Sequence, residues 1–254
     1  MTMTTTMAMI EIPTRDGTAD AYLAHPDDGA PHPAVLLYMD AFGLRPHLKS
    51  MADRLAAEGY TVLVPNVFYR FGRAPVVELP EFINPAERPE IIRDIGPAAR
   101  TLTPEGAMQD AAVYLDWLAA SPLTVDGPVG VTGYCMGAGL ALRTAGTHPD
   151  RVAAAAGFHG AYLATDAPDS PHLLAGHLTA ELYFGHADQD STNPAEQIAR
   201  LEKTLTEAGV EHRGEVYEGA HHGFTQADTA MYGAEATDRH WAALLDLFAR
   251  RLSG

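Results

Sequence analysis

Short apolar runs alternate with longer amphipathic ones through most of this chain, and that alternation restricts the fold more than any other feature of the sequence. Runs of β-forming residues lie at 33–39, 60–64, 128–132, 152–158, 180–184 and 214–217. Between them, Trp241, Leu244, Leu245, Phe248 and Leu252 recur with the 3.6-residue period of an amphipathic helix, and Ile198, Leu201 and Leu205 do so more loosely. Met51 and Leu55, with alanines around them, mark another helix, and residues 108–118 a fourth. Strands separated by helices of this length need crossover connections. The expected class is therefore α/β, a mostly parallel central sheet with helices on both faces. With 254 residues, 46% hydrophobic and 20% charged, the chain is long enough and apolar enough for one large domain spanning 1–254.

Two stretches break the alternation. Between Arg70 and Pro104 the prolines Pro75, Pro80, Pro85, Pro89, Pro97 and Pro104 leave little periodicity, which predicts a long lid-like excursion at about 70–104 or a surface insertion with a few helical turns. The first nine residues, rich in Met and Thr, are expected to fray. Residues 1–10 carry no basic residue and no long apolar run, so no signal peptide is expected, and no apolar run is long enough to span a bilayer. The chain reads as soluble and cytoplasmic. Seventeen Lys and Arg against 33 Asp and Glu give a net charge of −16, which excludes counterion-displacing binding to nucleic acid. A single cysteine, Cys135, excludes an intrachain disulfide and a cysteine-based zinc knuckle.

That cysteine stands in the sharpest local motif of the chain. The segment Val129-Gly130-Val131-Thr132-Gly133-Tyr134-Cys135-Met136-Gly137-Ala138-Gly139 is a short strand running into Gly-x-Cys-x-Gly and then into small, helix-compatible residues. This is a nucleophile elbow written with cysteine in place of serine. The turn holds the nucleophile in a strained conformation, and glycines two residues either side let strand and helix approach closely. The sulfur would lie at a helix N-terminus, where the dipole favours negative charge, and the Met136 amide would face a developing oxyanion. A cysteine nucleophile needs a base, and the base an orienting acid, in the chain order nucleophile, acid, histidine. Downstream, one strand-to-loop transition carries Asp188 and Asp190, and the next carries His221 and His222. Both loops leave the C-terminal ends of predicted strands, the edge at which parallel sheets bind ligands. The residues alone leave both choices open. None of these side chains shows zincin spacing, so no metal is expected.

With these motifs in order, the sequence resembles the dienelactone hydrolase (carboxymethylenebutenolidase) family of the α/β-hydrolase superfamily over nearly its whole length. The resemblance rests on Gly133-Tyr134-Cys135-Met136-Gly137, on Gly185-His186-Ala187-Asp188 and on Tyr217-Glu218-Gly219-Ala220-His221-His222-Gly223-Phe224. It implies Asp188 and His222 as partners of Cys135, with the amides of Met136 and Ala41 as the oxyanion hole. Asp40 stands where the family carries a glutamate that holds the resting thiol; read from the residues alone it is a turn residue ahead of Gly43. In Asn66-Val67-Phe68-Tyr69-Arg70, Arg70 falls at the family's substrate-carboxylate site, whereas Gln226 replaces the second arginine of that site and supplies no charged fork.

The resemblance implies hydrolysis of a small carboxylic ester or lactone through an acyl-thioenzyme, without cofactor, by a monomer or dimer. Two other readings stand beside it: a non-catalytic scaffold that binds a small molecule, and a thioesterase or xenobiotic esterase using the same triad.

Overall fold

A computed structural model describes residues 3–252. The described chain divides into two compact units, one ending at Val129 and the other beginning at Gly130.

The first unit opens with a hairpin that the composition concealed. Strands β1 (Thr5–Thr14) and β2 (Gly17–Pro26) pair antiparallel along their whole length, from Thr5 opposite Pro26 to Thr14 opposite Gly17. The expected fraying is thus corrected from Thr5 onward; the first two residues lie outside the described range. Strand β1 buries little beyond Ile12, and its backbone ladder with β2 holds it instead. The one local signal was the Asp16-Gly17 step at the turn. Strand β2 continues antiparallel to β4 (Thr61–Pro65), and β4 runs parallel to β3 (Ala34–Tyr38), in the order β1-β2-β4-β3. All residues of β3 and β4 are buried, as a strand covered on both faces requires.

Helix α1 (Pro46–Ala57) makes the β3–β4 crossover and buries Leu48, Met51 and Leu55. The proline-rich excursion is less irregular than its composition suggests, because it contains helix α2 (Arg88–Ala99), which buries Ile91, Ile95 and Ala98. Its last proline, Pro104, opens helix α3 (Pro104–Ala120) at a position where the missing N–H costs nothing, behind a Thr103 side chain that caps the Gly106 amide.

The second unit carries β5 (Val129–Tyr134), β6 (Val152–Phe158), β7 (Glu181–Gln189) and β8 (His212–His221) in that spatial order, with β6–β7 and β7–β8 parallel. Helices α4 (Met136–Thr147) and α5 (Ala195–Glu207) link β5 to β6 and β7 to β8, and α6 (Ala234–Leu252) closes the chain. The parallel crossovers expected from the alternation are present in both units. Helix α6 buries Trp241, Leu244, Leu247, Phe248 and Leu252, so Leu247 takes the place that the sequence pattern gave to Leu245. It lies close over β5 because Gly130 has no side chain there: a Cβ would come within 2.8 Å of Phe248 and 2.7 Å of Leu252. Among the described residues no helix is long and apolar enough to cross a membrane.

Phe248 is fully buried beneath that contact, so Phe248→Ala is expected to cost about 3–5 kcal/mol in urea unfolding, the range for deleting a buried aromatic ring.

Candidate active site

The chemistry collects at the C-terminal ends of β5, β7 and β8. Cys135 lies between the last residue of β5 and the first of α4, with φ 55° and ψ −117°. Such a backbone is costly for a residue with a Cβ and persists only where its surroundings over-determine it. Here they do. Cys135 N–H donates to the Phe158 carbonyl at 3.1 Å, and the Cys135 carbonyl accepts from the Ala161 amide at 3.2 Å. Gly133 cannot be replaced, since a Cβ there would overlap the Gly137 carbonyl. Met136 follows directly as the first residue of α4, so its amide sits at the helix N-terminus.

His222 follows β8 on a turn that Gly223 closes with φ 97°. Its Nε2 lies 3.0 Å from Cys135 Sγ and its Nδ1 2.6 Å from Asp190 Oδ2. His221, the last residue of β8, is exposed. The structure thus brings Cys135 and His222 together and puts Asp190, rather than Asp188, behind the histidine.

The preference for Asp188 is corrected here, and a register shift explains it. Strand β7 runs on past Phe184 to Gln189, and its pairing with β8 slips between Ala187 and Gln189. Asp188 sits at that irregularity, exposed, and accepts from the Gly219 amide at 3.0 Å. Asp190 is the first residue beyond the strand and is buried. Its Oδ1 accepts from the Thr192 amide at 2.8 Å and the Thr192 hydroxyl at 2.6 Å, leaving Oδ2 for His222. The usable signal was Asp190-Ser191-Thr192 itself, an aspartate able to fix its own rotamer through an Asx turn.

The electrostatics follow from these contacts. Burial alone would lower the basicity of His222. The charge of Cys135 and the hydrogen bond to Asp190 outweigh it and push His222 up to about 10. Burial likewise opposes ionisation of Asp190, but hydrogen bonds from His222 and Thr192 prevail and hold its carboxyl below the usual range. Since the folded value of His222 is raised, its contribution to stability is full below about 6.5 and is lost as pH rises through about 10. Two further histidines pack into the surroundings. His159 is fully buried with its ring edge-on to His222, and His186, pushed down to about 4 by burial, contacts Asn193 at 3.2 Å.

Three residues that the resemblance assigned to catalysis or binding have other partners. Arg70 is held by two carboxylates, through Nη1 and Nη2 to Asp110 at 2.6 and 3.0 Å and through Nε and Nη2 to Asp16 at 2.9 and 2.7 Å. A guanidinium already forked on both sides has no open edge for a substrate carboxylate, so the assignment of Arg70 as an anion receptor is corrected. Asp40 is buried and accepts from the Phe42 amide and from Arg45, both at 2.8 Å, while its carbonyl closes a turn to Gly43. This is the turn reading of Asp40. Ala41 lies on that turn. Gln226 is buried, its amide bonded to the Gly223 carbonyl and its side chain folded against Gly223. Among the described residues no group of three or more His, Cys, Asp or Glu side chains is arranged to hold a metal ion.

Comparison with known proteins gives one answer. The model of the dienelactone hydrolase family matches residues 19–252. A Synechocystis sp. protein that bears the name carboxymethylenebutenolidase provisionally is 27% identical, over 99% of this chain and 100% of its own length. The carboxymethylenebutenolidase of Rhodococcus opacus is 26% identical, over 91% of this chain and 86% of its own. A crystal structure from Klebsiella pneumoniae, provisionally named a dienelactone hydrolase, superposes with a TM-score of 0.84 at 22% identity, covering 97% of this chain and 99% of that one. This last likeness shows a common fold, that of the α/β-hydrolases.

Two substitutions separate the aspartates. Asp190→Asn removes the charge that holds His222 protonated, and is expected to slow iodoacetamide alkylation of Cys135 at pH 6 by about tenfold relative to pH 9. Asp188→Asn is expected to leave that ratio unchanged. In the first unit, Asp110→Ala leaves the part-buried Arg70 with Asp16 alone and Tyr69 without its acceptor, and is expected to lower unfolding stability by about 2 kcal/mol, measured by urea denaturation.

Proposed function

Since this chain belongs to the dienelactone hydrolase family, we propose that it hydrolyses small carboxylic esters or lactones, with Cys135 as nucleophile, His222 as proton carrier and Asp190 as the acid that orients it. One observation carries the reading: an unbroken relay in which His222 lies 3.0 Å from the sulfur on one side and 2.6 Å from a buried carboxylate on the other.

His222 Nε2 takes the Cys135 proton across their 3.0 Å contact, giving an imidazolium and a thiolate, the form of cysteine that attacks carbonyl carbon. Attack forms the C–S bond and moves the carbonyl π electrons onto oxygen, where the Met136 amide donates to the oxyanion. One such donor typically contributes about 2.7–4 kcal/mol of barrier lowering. The resemblance gives the second donor to Ala41. Collapse of the intermediate breaks the C–O bond, and the departing alkoxide takes its proton from His222 Nε2. In a lactone the same step opens the ring.

The acyl-thioenzyme then needs a base, and the same histidine becomes one. The charge on Cys135 is a leading cause of the raised basicity of His222, and acylation of Sγ removes it. Burial is then opposed by Asp190 alone, and neutral His222 accepts a proton from water as hydroxide attacks the thioester. Expulsion of the thiolate restores the starting ion pair and releases the acid.

The substrate class follows from what is missing. With Arg70 held by Asp16 and Asp110, and Gln226 neutral and buried, neither residue offers a fork to a substrate carboxylate. We therefore assign neutral esters and lactones in preference to carboxylate-bearing ones. A scaffold used only for binding has no need of a cysteine strained at φ 55° beside a charged histidine.

Cys135→Ala is expected to abolish hydrolysis of a neutral aryl ester, measured as product release against the wild-type rate. Full activity in that variant would overturn the proposal. The acylation rate, read from the pre-steady-state burst, is expected to fall as pH rises through about 10, where His222 loses the proton that the leaving group needs.

A further inference from the structure

The segment that follows β6 is joined to every part of the site, and nothing assigned to the reaction explains why. Phe158 receives the Cys135 amide, and Ala161 donates back to the Cys135 carbonyl. Between them the His159 amide donates to the Gly185 carbonyl on β7 at 2.8 Å, and the Tyr162 amide donates to the carbonyl of Thr192, the residue that clamps Asp190, at 3.0 Å. Cys135, His159 and Tyr162 are the non-glycine residues with positive φ among those described, at 55°, 38° and 55°. These positive-φ residues are gathered in this bracket, and such conformations cluster at functional sites.

The side chain of His159 supplies the link to the third site residue. It is fully buried, with its ring centroid 5.4 Å from that of His222 at 72°, an edge-on contact. Its Nε2 is hydrogen-bonded at 2.7 Å to the hydroxyl of Thr225, which stands three residues beyond His222 on the same turn. Phe224 meets the ring edge-on at 5.0 Å, and Tyr134 lies at 6.0 Å on the side of β5. Mere filling of the core would be served by an apolar ring, since burying an imidazole is costly unless it is hydrogen-bonded. The bond to Thr225 fixes His159 to the turn that carries His222, and the edge contact fixes the plane of the His222 ring.

We propose that His159, braced by Thr225, is a positioning residue that keeps the His222 ring in line between Cys135 and Asp190. This rests on the reading of Cys135 as nucleophile, and it matters most after acylation. The hydrogen bond and charge of the sulfur then no longer anchor Nε2, and Asp190 holds only the other end of the ring. A His222 free to swing about that end would misplace the base that activates water. The titratable groups that face His222 are Cys135 from the elbow, Asp190 from the loop after β7 and His159 itself.

The test uses His159→Asn, because asparagine accepts positive φ and so removes the ring without adding backbone strain. His159→Phe restores a ring without the hydrogen bond, and Thr225→Val removes the hydroxyl at constant shape. Two measurements are made on each: hydrolysis of a neutral aryl ester, and iodoacetamide alkylation of Cys135 at pH 6 relative to pH 9, which requires no turnover. For His159→Asn, kcat is expected to fall about ten- to a hundredfold without a rise in KM, and the alkylation ratio to fall with it. His159→Phe is expected to recover part of both, and Thr225→Val to show a smaller loss of the same kind. A wild-type kcat and ratio in His159→Asn would overturn the proposal. So would a loss of kcat with an unchanged ratio, since that marks a purely structural role. The catalytic reading fails separately, through an active Cys135→Ala, while the alkylation ratio still reports whether His159 holds His222.

Discussion

The left-handed backbone at Cys135 is the constraint around which the second unit is organised. A conformation of this kind costs of order 1–3 kcal/mol, and an isolated turn would relax out of it. It holds here because strand and helix are pressed together at Gly133 and Gly137, where no side chain could fit, and because Phe158 and Ala161 bind the cysteine's own amide and carbonyl. The geometry that lifts the sulfur to the edge of the sheet is therefore a property of β5, α4 and the exit of β6 acting together. Loss of any of the three would let the elbow flatten.

Charge is handled in the same way, by pairing inside the fold. In the second unit the Cys135 sulfur, the His222 ring and the Asp190 carboxylate lie in line, so the buried carboxylate has a histidine beside it and the desolvation penalty of its burial is offset. The first unit consumes its cations more completely. Arg70, which the resemblance gave to a substrate carboxylate, is locked between Asp16 and Asp110, and Arg45 against Asp40, so both positive charges are paired inside the unit that holds them. In a chain with a net charge of −16, an arginine near several acids is more readily captured by the fold than presented to a substrate.

What was legible in the sequence was what depends on neighbours in the chain. The parallel crossovers and the elbow are encoded within runs of a few residues, by apolar period and glycine spacing, and a histidine-bearing turn after a strand is equally local, while the choice of His222 over His221 came from the resemblance. What was illegible depends on register and on distant partners. Strand β1 is largely exposed, and its ladder with β2 holds it. Asp188 and Asp190 differ by two residues, and a slip in the β7–β8 pairing, invisible in the residues themselves, decides which one faces the histidine. Arg70 looks like a free cation until the fold brings Asp110 from forty residues away.

This division bears on how a family member keeps its reaction while changing its substrate. Each contact that fixes the relay is made by residues of the second unit through backbone geometry and short hydrogen bonds, so it tolerates little variation. The residues that would grip a substrate's charge belong to sites with no such constraint, and here they have been turned to other uses: Arg70 to an internal ion pair, Gln226 to packing under Gly223. Replacing a charged fork by neutral groups removes the energetic reason to select a carboxylate, while the relay acts on the carbonyl in the same way. Selectivity in such a site rests on shape and apolar contact, where single-group differences are worth about 1–3 kcal/mol.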